Sequence, residues 1–221
     1  LLNSTFSITL IRLIGSICAF GITFLVGKYF GPEILGEYGF TLSVIAIVSL
    51  FARFGTDKNI VRKASLLLNK NNNYDLSKLL KSYLLILFLI TLIFSLLIIF
   101  FGDFVIARAR GSEVSNLFFL SGFILVTSSL LAVSSAIFQS DMKYKLSAGY
   151  QFAFHPLLFI SLLLIFFDNL NDTADFLLLY LISNGICAFV SIFYIYRNYI
   201  KIVTTNTKES FFLPGIQFYK E

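Results

Sequence analysis

Tryptophan is absent from this 221-residue chain; histidine and methionine occur once each, cysteine twice and proline three times. Charged residues make up 13% of the sequence and hydrophobic residues 57%, where soluble domains carry about 25% and about 45–50%. That leaves too little polar surface to cover a water-facing globule, which excludes an ordinary soluble enzyme. Cys18 and Cys187 both sit inside apolar runs and support neither a disulfide framework nor a metal site. The 17 Lys and Arg only modestly outnumber the 12 Asp and Glu, and they fall between apolar runs rather than on a solvated face, so no nucleic-acid partner is expected. There is no glycine-rich Lys-Ser/Thr phosphate loop and no His-Glu-x-x-His pair. The acids all lie at or beyond the ends of the apolar runs. The inventory therefore predicts a non-enzyme with no cofactor and no metal. The chain starts on Leu1 and its one Met is Met142, so it reads as part of a longer protein.

What is abundant is Phe, 27 of them, in a chain of mean hydropathy +0.86. About 20 apolar residues in a helix cross a hydrocarbon core of about 30 Å. Four charge-free stretches reach that length: Ser82–Gly102, Val114–Ser140, Leu146–Phe167 and Phe176–Tyr196. Two others, Leu13–Gly27 and Tyr38–Ala52, cover only about 22 Å each and must extend past a charge, which singles out Arg12 and Arg53. The expectation is an all-α membrane protein, a six-transmembrane-helix bundle over residues 1–200, with spans near 6–29, 36–54, 82–102, 117–139, 147–167 and 176–196. Residues 201–221 read as a tail approaching a seventh helix that the chain does not contain.

Lysine and arginine orient the bundle. With the N-terminus in the cytoplasm, fourteen of the 17 fall inside, half of them between Arg53 and Lys81, and only Lys28, Arg108 and Arg110 fall outside. Both termini are thus expected to be cytoplasmic. Gly31-Pro32 should end the first helix and start the second. Gly55 reads as a C-cap, Asp75 or Ser77 as N-caps of the third span, and Asn59–Leu68 as a short helix on the cytoplasmic surface.

Helical spacing shows polar faces inside the spans. Ser121, Ser128, Ala132, Ser135 and Gln139 share one face of the fourth, consistent either with close packing or with the wall of an aqueous cavity. Gly15, Ala19, Thr23 and Gly27 form a small-residue seam in the first, with Arg12 and Ser16 near the same face. An Arg at that depth either snorkels or faces a cavity. His155 precedes Pro156, which removes a backbone hydrogen bond and kinks the fifth span; the His is either structural or titrates in a transport cycle. Asn184 in the sixth span reads as helix glue.

Three loop segments carry a resemblance. Gly31-Pro32-Glu33-Ile34-Leu35-Gly36-Glu37-Tyr38-Gly39, between the first two spans, resembles the Gly-Pro-Glu-x-x-Gly-x-Tyr loop of bacterial polysaccharide flippases. Phe54-Gly55-Thr56-Asp57-Lys58-Asn59-Ile60-Val61-Arg62-Lys63 is similar to the Gly-x-Asp/Asn-x-x-Ile-x-Arg stretch after their second span, and Phe138–Lys145 is a weaker echo. The chain thus resembles the N-terminal half of the O-antigen flippases, in the superfamily that also holds multidrug exporters and lipid II flippases. The resemblance implies one of two six-helix bundles around a central cavity in the bacterial inner membrane. It implies a lipid-linked oligosaccharide on undecaprenyl diphosphate as the cargo, moved by alternating access for lipopolysaccharide synthesis. Membrane lipids, a polysaccharide polymerase and chain-length machinery are the implied partners. A diphosphate needs cations, so Arg12 is the first candidate for the cavity, followed by Arg53 and Arg62 with Asp57 as a pairing or gating acid, while Ser128, Ser135, Gln139 and His155 are candidates for the polar wall. Plain positive-inside topology is the competing account of the Arg53–Lys81 cluster. A small-solute exporter of the same superfamily, or a non-transporting remnant, are the competing functions. The orientation predicts that a reporter fused beside Asp172 registers as periplasmic; a cytoplasmic signal there would reverse the bundle.

Overall fold

The computed structural model describes residues 2–70, 72–110, 115–170 and 172–200. Among them there is no strand, and six helices are long and apolar enough to cross a membrane. Helix α1 is Leu2–Tyr29, α2 Pro32–Arg53, α4 Asn73–Arg110, α5 Ser115–Ser140 and α8 Thr173–Ile195, the last continued by a π-helical turn at Tyr196–Ile200. The fifth span is composite: α6 (Tyr144–Ala148), a π-helical turn at Gly149–Ala153, and α7 (Phe154–Ile165). A shorter helix, α3 (Thr56–Asn69), links the second and third spans. The expected tail, residues 201–221, lies outside the described residues.

Most helix ends are set by local chemistry. Gly31 takes φ 94° as the N-cap of α2, a value that costs only glycine little, and Pro32 follows at the first helical position. Asp172 and Asp175 form a reciprocal capping box at the start of α8. At α4 the cap is Asn72 rather than Asp75 or Ser77: its Oδ1 accepts from the Asp75 amide at 3.2 Å and its Nδ2 donates to Asp75 Oδ2 at 2.6 Å. The helix therefore starts nine residues before the charge-free stretch. It brings Leu76 and Leu80 into the buried surface below α3.

Helix α5 is the axis of the bundle, packed by α2, α3, α4, α6 and α8. Its sequence explains how. Besides the stripe read from spacing, Ser129, Ser134 and Ala136 on its other faces are buried, so small side chains surround the helix rather than line one side of it. Small residues let neighbouring backbones approach closely. The hydroxyls are satisfied largely within the helix: Ser121 donates to Phe118 O, Ser128 to Leu125 O and Ser134 to Leu130 O. Two apolar cores stack along this axis. One gathers Ile22, Val26, Tyr38, Ile45, Phe159 and Phe176; the other gathers Ile60, Leu80, Leu87, Phe138, Tyr150 and Ile195. Between them Asn184 Nδ2 donates to Thr127 Oγ1 at 3.2 Å, which ties α8 to α5.

Proline 156 organises the fifth span. It has no N–H to give the Phe152 carbonyl four residues back, and the chain widens there into the π-helical turn. That carbonyl faces α1 at Gly15, where a Cβ would overlap it. Gly15 is buried for this reason, whereas Ala19 and Thr23 of the same expected seam are exposed. Gly15→Ala should therefore cost about 1–3 kcal/mol by overpacking. Gly36→Ala, where nothing lies within 4 Å of the added carbon, should be neutral or stabilising by up to about 1 kcal/mol. Thermal unfolding of the two variants in detergent checks the contrast, and equal losses would remove the contact from the account.

Candidate functional site

The candidate residues concentrate at one end of the bundle, the end where α2 stops, α3 lies and α5 turns into α6. At the end of α2, Phe54 (φ 41°) and Gly55 (φ 72°) are both left-handed, and this pair turns the chain sharply into α3. For Phe such a conformation costs of order 1 kcal/mol or more. Its ring is 85% exposed, in the place where aromatic side chains sit at a membrane–water boundary. The turn is held by three contacts: Arg53 Nε donates to Ser49 O at 3.1 Å, Thr56 Oγ1 to Arg53 O at 2.6 Å, and Arg53 Nη1 pairs with Asp57 Oδ2 at 3.1 Å.

Asp57 lies in the first turn of α3, where a negative charge is favoured by the helix dipole. Its second oxygen, Oδ1, is buried with no hydrogen-bond partner. Burial pushes its carboxyl above the usual range, and the charge and hydrogen bond of Arg53 only partly offset that. The pair is thus a cation whose counter-ion is itself incompletely satisfied. Arg62 and Lys58 are exposed on α3, while Ile60 and Ala64 bury its other face. The helix packs on α4 and α5 as well as presenting bases outward.

Arg12 sits on an exposed face of α1, about 10 Å along the helix from the start of its span at Thr5. Its guanidinium lies over the Phe152 ring, 4.9 Å from the centroid, a cation–π contact worth about 0.5–2 kcal/mol depending on desolvation. Phe152 therefore serves α1 twice, its carbonyl against Gly15 and its ring under Arg12. Ser16, on the same side, is exposed, as is Gln151.

The remaining candidates divide. Ser135 is buried and shares a 2.9 Å hydroxyl contact with Ser147, joining α5 to α6. Ser128 is half-buried and self-satisfied, and Gln139 is exposed at the end of α5. His155 lies away from the cations, its ring 4.3 Å from Tyr180 and stacked 6.2 Å from Phe159, with Nε2 buried and unpartnered. Tyr38 of the first loop motif joins that aromatic group, 6.2 Å from Phe159. Its neighbour Glu37 accepts from Thr173 Oγ1 at 2.7 Å, tying the start of α2 to the start of α8. Glu33 and Gly36 are exposed in the first turns of α2. Among the described residues no contact links Arg12 to Arg53, Asp57 or Arg62.

One group escaped the sequence reading. Asp141 Oδ2 takes both the Lys143 ammonium at 2.7 Å and the Tyr199 hydroxyl at 2.6 Å, and Lys143 also donates to Tyr199 at 3.1 Å. The Lys143 ammonium lies over the rings of Tyr194 and Tyr199. Burial acts against the Lys143 charge, but the bonds to Asp141 and Tyr199 outweigh it and raise its pKa. The group closes the turn between α5 and α6 onto the end of the sixth span. The signal for it was the Asp-x-Lys turn, read as part of a loop motif, opposite a Tyr-rich helix end.

A family model described as polysaccharide biosynthesis protein matches residues 1–219. No curated protein sequence and no solved structure matches the chain.

The Asp57 shift has a pH signature. A carboxyl whose pKa is raised on folding binds its proton more tightly in the folded state, so stability falls as pH rises from its unfolded pKa, about 3.9, through the raised folded value. Arg53→Gln removes both influences that hold the folded pKa down. The decline should then extend to higher pH than in the wild type. Unfolding midpoints measured across acidic to neutral pH check this; identical profiles would contradict it.

Proposed function

The chain belongs to the polysaccharide biosynthesis protein family, a multi-pass membrane protein acting in polysaccharide synthesis or export, and we propose that it forms the N-terminal bundle of a flippase. The cargo in this reading is an undecaprenyl-diphosphate-linked oligosaccharide, carried from the cytoplasmic to the periplasmic leaflet of the bacterial inner membrane for surface polysaccharide such as O-antigen. It is transport rather than chemistry: the cargo crosses unchanged. The observation that carries the reading is the family match, which runs across all six spans. The geometry supports it with a cation inside a span on an exposed helix face.

The physical requirements are few. A diphosphate leaving water must keep charge-assisted hydrogen bonds, each worth about 1.5–3 kcal/mol. Arg12 can supply them from the first span, because it is held by an aromatic ring and, among the described residues, is paired with no carboxylate. Arg53 is committed to Asp57 and is released only if that pair opens, which makes it a gating group in this reading. Exposed Ser16 and Gln151 offer hydroxyl and amide partners to sugars. The composite fifth span supplies a hinge, since a π-helical turn beside a proline joins two stiff halves. Polymerase and chain-length machinery would act on the cargo after release.

Arg12→Ala is expected to lower export of lipid-linked glycan at least tenfold in the full-length protein while membrane insertion survives. Arg12→Lys should restore part of the loss, and Lys28→Ala, at the opposite end, should export normally. Surface polysaccharide and membrane protein level, read together in cells lacking the native copy, decide it. Normal polysaccharide with Arg12→Ala would remove Arg12 from the mechanism.

A further inference from the structure

The short arm of the fifth span, α6, is tied at both of its ends. Ser147 meets Ser135 of α5 at 2.9 Å. Lys143, the N-cap of α6, joins Asp141 and Tyr199 in the three-way group at the end of the sixth span. Two irregular pieces of backbone meet in that group. Between Asp141 and Lys143, exposed Met142 takes φ 56°, a left-handed conformation that costs a non-glycine residue free energy. Tyr199 lies in the π-helical turn Tyr196–Ile200, a geometry found mostly as single turns and often at functional sites. The two bonds to the Tyr199 hydroxyl hold this turn against the α5–α6 corner. Asp141 and Lys143 are both partly open to water, so the group can open without stranding a buried charge.

A row of aromatic rings runs from this group to the hinge of the fifth span. The Lys143 ammonium lies 5.6 Å from the centre of the Tyr194 ring. Tyr194 packs edge-on to Phe138 at 5.5 Å, and Phe138 stacks on Tyr150 at 5.3 Å. Tyr150 belongs to the π-helical turn Gly149–Ala153, two residues before Phe152, whose ring carries Arg12. Phe138 in the middle of the row is fully buried, and close-packed interiors transmit displacement. We propose that Asp141, Lys143 and Tyr199 are positioning residues for the Arg12 seat, a latch that holds α6 to the end of the sixth span and so fixes the turn bearing Phe152. The inference rests on the flippase reading and adds to it a device that decides when the seat is formed. With the latch closed, both arms of the fifth span are held and the Phe152 ring stays under Arg12. With it open, α6 keeps only its Ser147 tie, Met142 can leave its left-handed backbone, and the hinge turn is free to move the ring.

The test uses the full protein in vesicles, with Gln151→Cys as its only cysteine; Gln151 is exposed within the hinge turn. Reaction of this thiol with a water-soluble maleimide reads the turn without relying on transport. Tyr199→Phe, which removes the hydroxyl and keeps the ring, and Lys143→Met should each change the labelling rate at least threefold. Lys143→Arg, which keeps a cation in place, should return it most of the way. Tyr196→Phe, an exposed ring in the same helix end, should leave it unchanged. Without the reporter, Tyr199→Phe should slow transfer of a fluorescent polyprenyl-diphosphate oligosaccharide at least fivefold. Labelling unmoved by the latch variants, or moved equally by Tyr196→Phe, would overturn the inference. Transfer at the wild-type rate in Tyr199→Phe would overturn the positioning role even where labelling had changed. Labelling that follows the latch in vesicles where the wild-type protein transfers nothing would sink the flippase reading and leave the hold of the latch on the turn in place.

Discussion

Hydrocarbon offers no hydrogen bonds, so backbone and side-chain polar groups inside the bundle depend on the protein itself for partners. Two features of this chain answer that constraint in opposite ways. Along α5 the hydroxyls of Ser121, Ser128 and Ser134 turn back onto carbonyls of their own helix, which leaves a narrow cylinder that neighbours can approach from several sides. At Pro156 the missing N–H leaves a carbonyl without its usual partner, and the structure spends that irregularity on a contact with α1. The first solution makes the bundle compact; the second fixes the helix that carries the intramembrane cation.

The second runs from sequence to function in a few steps. Proline removes a donor, the span widens into a π-helical turn, and the Phe152 carbonyl meets α1 at Gly15, where a Cβ would overlap it. That docking sets the rotation of α1. Arg12 lies just under one turn before Gly15 and comes to rest on the Phe152 ring. A cation–π contact steadies the guanidinium without neutralising it, whereas a carboxylate partner would hold a full opposite charge against it. Arg53, which does have such a partner, is suited to a state-dependent role instead.

How much of this was legible in the sequence follows from the kind of signal each feature leaves. The six helices were, because length and hydropathy report directly on the bilayer. The start at Pro32 was, because few residues allow the backbone angle of Gly31 before it; at the other end of α2 the left-handed C-cap is Phe54, and Gly55, expected as the cap, is instead the N-cap of α3. The start of α4 was misplaced, since Asn72 outranked Asp75 only through a reciprocal pair with it. The stripe on α5 was read as one face because a single periodicity cannot show that Ser129 and Ser134 pack against other neighbours. The Asp141–Lys143–Tyr199 group was invisible because it joins positions 58 residues apart. Arg12 stood out at once, yet its ring partner did not: nothing local says which of 27 phenylalanines faces it.

In the proposed flippase the fifth span presents Arg12, over the Phe152 ring, to a lipid-linked diphosphate sugar. Vesicles containing the full-length protein and a fluorescent undecaprenyl-diphosphate oligosaccharide measure it most directly, through loss of the outer-leaflet sugar to a membrane-impermeant quencher. Transfer should be protein-dependent, and Phe152→Leu, which keeps the carbonyl but removes the ring under Arg12, should slow it about tenfold. Transfer no faster than in protein-free vesicles, or a Phe152→Leu rate equal to wild type, would contradict the account.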